Sequence, residues 1–265
     1  VYISLEKMIE LNISNLPEPL LYYDFENITG NTVNDLSGNA NNGTPDNNPN
    51  ISFTSEGAPA GASPGRSANI GGGLINVPGI NLNDIRNGSG SYTYSAWIKP
   101  SNLDEDKIFF GQRESSGIHN GIRRSSLNID HWGSGDRGST NLNDYIANDS
   151  DGWIHATFTY NGSDNKYQIF LDGVIDRQGN ANAPGGSGNL TIGFSDDSRS
   201  YRGLIDEVVY WNSVLTEAQI KLLSEGAVPI IKDTDGDGLT DKYEISIGTD
   251  SNKIDTDSDG VTDTQ

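Results

Sequence analysis

The chain contains no cysteine, and its 265 residues carry only 17 Lys and Arg against 37 Asp and Glu. Without thiols it can build neither a disulfide framework nor a thiolate metal site, and cysteine usage leaves the redox compartment open. The formal net charge of −20 opposes binding to nucleic acid or to an anionic membrane surface, both of which need clustered Lys and Arg. No apolar run approaches the roughly 18 residues of a membrane-spanning helix. Residues 1–16 mix acidic and apolar side chains instead of placing a basic head before an apolar middle, so neither membrane insertion nor a signal peptide is expected.

Hydrophobic residues are also scarce, at 33 %, while glycine is plentiful at 32 residues and Asn, Asp and Ser recur throughout. That balance predicts many turns between short buried segments, and therefore an all-β protein. Residues 1–19 end in Leu16-Pro17-Glu18-Pro19, which disfavours a continuing helix and reads as a linker or the end of an upstream region. From Leu20 onward, strand-like segments alternate with Asn/Gly/Ser/Asp clusters. The clearest are 20–25, 91–98, 107–110, 126–131, 153–160, 167–171, 189–194 and 203–211. In the 153–160 segment Ile154, Ala156, Phe158 and Tyr160 alternate with more polar neighbours, the period of a strand with one buried and one more open face. Asn161-Gly162 and Asp172-Gly173 supply the positive φ that tight hairpins need, so the pairing is expected to be antiparallel. One short helix is expected near Leu215–Leu223. Thr216 and Gln219 form a capping box there, and Leu215 or Ala218 joins Ile220 and Leu223 in an apolar stripe that seals an edge of the sandwich.

The last stretch is different in kind. Between Asp233 and Gln265, nine Asp and one Glu face two Lys, a local net charge of −8. Asp233-Thr234-Asp235-Gly236-Asp237-Gly238-Leu239-Thr240-Asp241-Lys242-Tyr243-Glu244 fits the twelve-residue loop D-x-D-x-D-G-x-x-D-x-x-E at each defined position. Calcium takes six to eight oxygens, and this loop offers the carboxylates of Asp233, Asp235 and Asp237, the Leu239 carbonyl, Asp241 directly or through water, and a bidentate Glu244. Twenty-two residues on, Asp255, Asp257, Asp259, Val261 and Asp263 begin the same loop, whose twelfth position would be residue 266. The competing reading is a solvated acidic tail, but acidity alone does not place glycine and an aliphatic residue in the same register twice. Carboxylates this dense repel without a cation, so binding and folding are expected to be coupled, with one full site and one partial site.

Ala227-Val228-Pro229-Ile230-Ile231 does not read as the helix that precedes an EF-hand loop. The two loops, with Gly248-Thr249-Asp250 between them, instead resemble bacterial thrombospondin type 3 repeats. The resemblance implies a calcium-stiffened spacer in a secreted or cell-surface bacterial protein, with Asp250 and Asn252 as further ligands. Residues 20–226 resemble the laminin G-like jelly rolls of the concanavalin A-like lectin/glucanase class. The resemblance is carried, in order, by Leu21-Tyr22-Tyr23-Asp24-Phe25-Glu26, Asp35-Leu36-Ser37-Gly38-Asn39, Tyr94-Ser95-Ala96-Trp97-Ile98-Lys99-Pro100, Trp153-Ile154-His155 with Leu171-Asp172-Gly173, and Gly203-Leu204-Ile205-Asp206-Glu207-Val208. It implies a two-sheet antiparallel jelly-roll sandwich with one short helix, followed by a small calcium-bound loop segment at 227–265. It further implies a structural calcium joining the first and last strands, with Asp24, Asp35 and Asp206 as its ligands.

The irregular stretch between Arg113 and Trp153 gathers side chains suited to a sugar, which needs an apolar face and planar hydrogen-bonding groups: His119, Arg123, Asp130, His131, Trp132, Arg137 and Tyr145. Core packing for Trp132 and solvated loops for the others is the competing reading. The arginines in an otherwise acidic chain point to an anionic glycan. Laminarinase-type hydrolases of the class carry Glu-x-Asp-x-Glu on one strand, and no such string occurs here. Asp206 and Glu207 are adjacent and point to opposite faces of a strand. The sequence contains no G-x-S-x-G, H-E-x-x-H or phosphate-loop motif either. The expectation is a non-catalytic, calcium-dependent carbohydrate-binding or adhesion module, linked to other domains of a longer polypeptide and binding a glycan or glycoprotein. The alternatives are a structural or protein-binding domain without a sugar site, and a polysaccharide-degrading enzyme domain on the same fold.

Overall fold

The computed structural model describes residues 16–46, 50–59, 65–81, 90–103, 106–112, 117–131, 135–148, 151–185, 188–193, 199–227, 229, 233–239, 241, 244 and 247–264. The chain alternates short strands and turns. In order these are β1 (Leu21–Tyr23), β2 (Ile28–Thr29), β3 (Thr32–Val33), β4 (Thr44–Pro45), β5 (Ile51–Thr54), β6 (Ser67–Gly71), β7 (Leu74–Asn81), β8 (Tyr92–Pro100), β9 (Lys107–Gly111), β10 (His119–Arg123), β11 (Ser126–Asp130), β12 (Gly135–Arg137), helix α1 (Leu142–Ala147), β13 (Ile154–Asn161), β14 (Lys166–Leu171), β15 (Val174–Asn180), β16 (Asn189–Gly193), β17 (Arg202–Trp211) and helix α2 (Glu217–Ser224). Two large antiparallel sheets and a small β2-β3 hairpin result. One is eight-stranded, in the order β15-β14-β13-β8-β17-β6-β5 with β1 added on β17, and the other is seven-stranded, in the order β12-β11-β10-β9-β16-β7-β4.

The core lies between the sheets and is strongly aromatic. Tyr94 stacks on Phe110 with ring centroids 3.7 Å apart, and Phe109, Phe158, Tyr92, Tyr160 and Tyr210 pack around them. The alternation in β13 places Ile154, Ala156, Phe158 and Tyr160 in this core. Its other face is not open as expected, because His155, Thr157 and Thr159 are buried as well. α2 explains the difference. Its Ile220 and Leu223, with Leu215, pack on Phe170, Val209, Trp211 and Tyr22, so the helix covers a face of the eight-stranded sheet instead of sealing an edge. Thr216 and Gln219 form the expected capping box, and Ala218 stays exposed outside the apolar stripe.

Asp172 and Gly173, with φ of 47° and 77°, form the two-residue turn between β14 and β15, as their chemistry predicts. The Asn161-Gly162 hairpin is longer than expected. Asn161 Oδ1 accepts from Ser163 N, and the positive φ falls on Asn165. Helix α1, absent from the sequence reading, is short and capped by Asn141, whose side chain accepts from Asn143 N.

Candidate functional site

The outer face of the seven-stranded sheet carries a cleft of 630 Å³, lined among others by Asp106, Lys107, His119, Arg123, Asn128, Asp130 and Arg199. Alternation along the strands creates it. In β10 and β11, Ile122, Leu127 and Ile129 turn into the core, so Arg123, Asn128 and Asp130 turn outward. A bulge between Asn120 and Gly121 presses β10 against β9, and a Cβ on Gly121 would collide with the Lys107 carbonyl oxygen. The cleft floor at Gly121 is therefore bare backbone. Arg123 Nε lies 3.2 Å from Asp106 Oδ2, and His119 Nε2 is 3.0 Å from the Gln112 carbonyl.

Of the sequence-predicted sugar residues, His119, Arg123 and Asp130 come together in this cleft. Arg137, exposed on β12 and cross-strand from Asn128, shares that face but is not among the residues lining the cleft. Tyr145 lies elsewhere. It sits in α1 with its hydroxyl donating to Asp172 Oδ2, and Asp172 Oδ1 accepts from His155 N. His131 also departs from expectation, because its ring is buried between Tyr92 and Tyr160. With Nδ1 2.9 Å from the Asn182 carbonyl, that nitrogen carries the proton, so Nε2 accepts from the Tyr92 hydroxyl at 2.7 Å. Both ring nitrogens are used inside the core, which leaves nothing to offer a ligand. Trp132 lies outside the described residues. Lys107, Asn128 and Arg199 were missed by sequence reasoning. Lys107 belongs to a strand whose other residues are apolar or glycine, and Arg199 reaches the cleft only through tertiary structure.

Among the described residues, Asp24, Asp35 and Asp206, expected to hold a structural calcium in the sandwich, do not form one close group of three ligand atoms. Asp35 accepts from Tyr22 N, Ser37 N, Ser37 Oγ and Asn41 N, tying the loop after β3 to β1. Asp24 caps its own turn by accepting from Glu26 N, Asn27 N and Asn27 Nδ2. Asp206 is buried on β17, where Oδ2 accepts from Ala58 N at 2.8 Å. Among the described residues, the groups of three metal-capable side chains are the two in the acidic tail.

Burial shifts several of these groups, and the shifts oppose one another. Burial pushes Asp206 up to about 8 and Glu207, whose Oε2 accepts from the Tyr22 hydroxyl, up to about 7. The same cause pulls His131 down to about 4 and His155 down to about 3. The histidines contribute stability that is full above their unfolded value of 6.5 and is lost as pH falls. The carboxyls contribute stability that is full below 3.8 and 4.5 and is lost as pH rises through 7 to 8. Between pH 6.5 and 4.5 the two pairs nearly cancel. The double variant Asp206→Asn, Glu207→Gln is therefore expected to lose stability more steeply than the parent as pH falls across that window. Chemical denaturation at a series of pH values checks this.

In the tail, ligand-capable oxygens of Asp233, Asp235 and Asp237 lie within 4.8 Å of one another, and those of Asp255, Asp257 and Asp259 repeat the arrangement. Each first Asp also binds its own loop. Asp233 accepts from Gly236 N and Gly238 N, and Asp255 accepts from Asp259 N and Gly260 N. Each ninth-position Asp is held by the second-position Thr: Asp241 by Thr234 N and Oγ1, and Asp263 by Thr256 N and Oγ1. Both oxygens of Asp241 and of Asp263 are so used, which favours contact with a metal through water for these two. Asp250 faces Asn252 N and Nδ2 and Lys253 Nζ, and these contacts hold its carboxyl below the usual range.

The chemistry of the first loop fits a hard cation. Glu244 is fully buried, and neither of its carboxylate oxygens has a hydrogen-bond partner. Oδ2 of Asp235 and Oδ2 of Asp237 are buried and equally unpartnered. Desolvation, followed by the charges of Asp235, Asp237, Asp241 and Asp263, pushes the Glu244 carboxyl up. Four buried acceptor oxygens without a donor are costly unless a cation meets them.

Comparison with known proteins gives three results. The family model of the concanavalin A-like lectin/glucanases superfamily matches residues 75–221, and that of the bacterial TSP3 repeat matches 233–254. No curated protein matches the chain. Among solved structures, it is similar to domain 4 of an extracellular arabinanase from Geobacillus stearothermophilus in complex with arabinotriose, at TM-score 0.59 and 20 % identity over 78 % of this chain and 98 % of that one. It is also similar to the binding domain of Paraclostridial Mosquitocidal Protein 1, at TM-score 0.57 and 15 % identity over 78 % of this chain and 52 % of that one. A third is the binding domain of botulinum neurotoxin DC in complex with rat synaptotagmin II, at TM-score 0.52 and 15 % identity over 82 % and 56 %. The chain thus spans about half of each toxin binding domain, and at these identities the likeness is one of fold. With a family match over more than half of its residues, the chain belongs to the concanavalin A-like lectin/glucanases superfamily.

Proposed function

We propose that this chain is a non-catalytic carbohydrate-binding module of a secreted or cell-surface bacterial protein, with residues 20–226 as the glycan-binding unit and 227–265 as a calcium-stiffened spacer. The cleft on the outer face of the seven-stranded sheet carries this reading. It is a preformed concavity whose polar lining, Asn128, Asp130, Arg123 and His119, is held by paired strands. Residues 16–19 belong with the sandwich more than with a linker, since Leu16 packs beside Trp211 and Trp211 Nε1 donates to the Pro17 carbonyl. A solved neighbour of the same fold holds arabinotriose, which supports a glycan ligand here.

A non-catalytic role is supported by the placement of the acids. In the cleft Asp106 is paired to Arg123, and the raised pair, buried Asp206 and half-buried Glu207, lies on the other sheet. The test is a glycan array probed with the full chain, with and without calcium, beside a reducing-end assay on the polysaccharides that bind. Binding without new reducing ends is expected, with an affinity reduced at least tenfold by Asn128→Ala with Asp130→Ala. Silence across the array with calcium present would defeat the reading, and new reducing ends would make the module an enzyme.

A further inference from the structure

Helix α2 covers Phe170 and Val209 on the outer face of the eight-stranded sheet, and beyond its footprint β13, β14 and β15 open a second cavity. Its volume is 450 Å³, within the size range of ligand sites. The strands build its floor from polar side chains. Tyr160 and Tyr167 turn into the core, so their neighbours Thr159, Asn161, Lys166 and Gln168 turn outward. Thr159 faces Gln168, which faces Gln178, in one row, and Asn161 faces Lys166, which faces Asn180, in the next. With strands ~4.8 Å apart and two residues between rows, the floor measures about 10 Å by 7 Å. Val214, 37 % exposed, walls it on the β8 side. That wall is pinned. The Thr93 hydroxyl donates to the Ser213 carbonyl and accepts from Leu215 N, and Thr93 faces Thr159 across β8 and β13.

Thr159 lines this cavity while only 2 % exposed, and its hydroxyl makes no hydrogen bond to the protein among the described residues. The bonding capacity of a hydroxyl so placed is completed by what occupies the cavity. Gln168 Nε2 and Gln178 Oε1 stand 3.5 Å apart, the outer limit of a hydrogen bond, so neither amide is fully engaged. Charge is balanced locally, since Lys166 Nζ lies 3.2 Å from Asp164 Oδ2.

We propose that this cavity is a second sugar site, taking a short neutral oligosaccharide on the side of the module opposite the cleft. The proposal shares the ligand class of the cleft reading and none of its residues. A sugar hydroxyl both donates and accepts, and so does a carboxamide, so the amides of Gln168, Gln178, Asn161 and Asn180 match the edge of a sugar ring. Val214 offers a small apolar contact to the ring's C–H face. An anion would find only Lys166, which already faces Asp164, and a cation only Asp164, which already faces Lys166. Tyr167 also lines the cavity but keeps its ring in the core, so no stacking platform adds to the affinity and a Kd on the order of 1 mM is expected. Sites on opposite faces bridge two glycan chains instead of gripping one, and their gain comes through avidity.

The test is nuclear magnetic resonance of the isotope-labelled full chain in calcium, titrated with cellotriose, xylotriose, mannotriose and galactotriose. At least one should shift the side-chain amides of Gln168 and Gln178 saturably, and should still do so in the cleft variant Asn128→Ala with Asp130→Ala. Gln178→Ala, at an exposed position, should weaken that response about fivefold, the worth of one ordinary hydrogen bond, and leave the cleft signals unmoved. Thr159→Val, which keeps the shape of the side chain and removes the hydroxyl, should do the same. A melting curve shows whether that variant folds, and if it does not, Gln178→Ala decides alone. Added salt should change the affinity little, and trigalacturonate should bind here no more tightly than the neutral sugars. Shifts confined to the cleft, tighter binding of the acid, or indifference to Gln178→Ala would overturn the second site and leave the cleft reading intact. Shifts at Gln168 and Gln178 without any at the cleft would sustain the second site and defeat the cleft. No shift with any sugar would remove both.

Discussion

Chelation of calcium is expected to unfold the acidic tail and leave the sandwich standing. Among the described residues of the tail, Ile247, Ile254 and Val261 are all exposed. What orders it is a set of turns in which carboxylates accept from backbone N–H groups, and these surround buried acceptors that have no donor. Without a cation, mutual repulsion among Asp235, Asp237, Asp241, Asp263 and Glu244 opposes that arrangement. Amide hydrogen exchange with and without EGTA should show protection at 233–264 falling to the level of an unfolded chain, while β8, β13 and β17 stay protected. Glu244→Gln should weaken calcium binding by at least tenfold, because it removes the charge of a fully buried carboxylate whose oxygens have no donor. Retained protection in EGTA would show that the tail is held by the protein alone.

The second large effect is expected at Asp35. Asp35→Ala removes four hydrogen bonds at once and leaves Tyr22 N and Ser37 N, both in buried residues, without their acceptor. A net loss of about 3 kcal/mol is expected, more than one ordinary hydrogen bond contributes, because unsatisfied buried donors carry their full desolvation cost. The loss should be the same in calcium and in EGTA when read from a sandwich signal such as near-ultraviolet circular dichroism. A loss seen only in calcium would restore Asp35 as a metal ligand.

That contrast shows what the sequence could and could not convey. The eight strands with strong apolar character all form, and Asp172-Gly173 makes its turn, because these depend on local spacing and local φ. The capping box at Thr216 was legible for the same reason. Strands such as β2, β4 and β12 are two or three residues long and leave no period to detect. The tail loops could be read because all their ligand positions lie within one short repeat. The cleft is harder, since it joins β9, β10, β11 and the residue at 199, and no local pattern says that these meet. The roles of Asp24, Asp35 and Asp206 are illegible in the sequence for a related reason. A carboxylate that closes a loop through backbone N–H groups has the same place in the sequence as one that closes it through a metal.

The pairing of β1 on β17 has a mechanical consequence. Leu21 faces Tyr210 and Tyr23 faces Val208, so the chain enters the sandwich beside the point where β17 ends. The sandwich is entered and left at one corner. Tension applied between residues 16 and 227 would first break the Trp211 Nε1 to Pro17 carbonyl bond and then draw β1 away from β17 from the Leu20 N to Tyr210 O bond onward. The bonds of that pair would then break one after another, as a zipper opens, and not all together in shear. Under load the first strand is the weak link, and its release would uncover Tyr22, Phe25 and the edge of β17 before the remaining sheets yield.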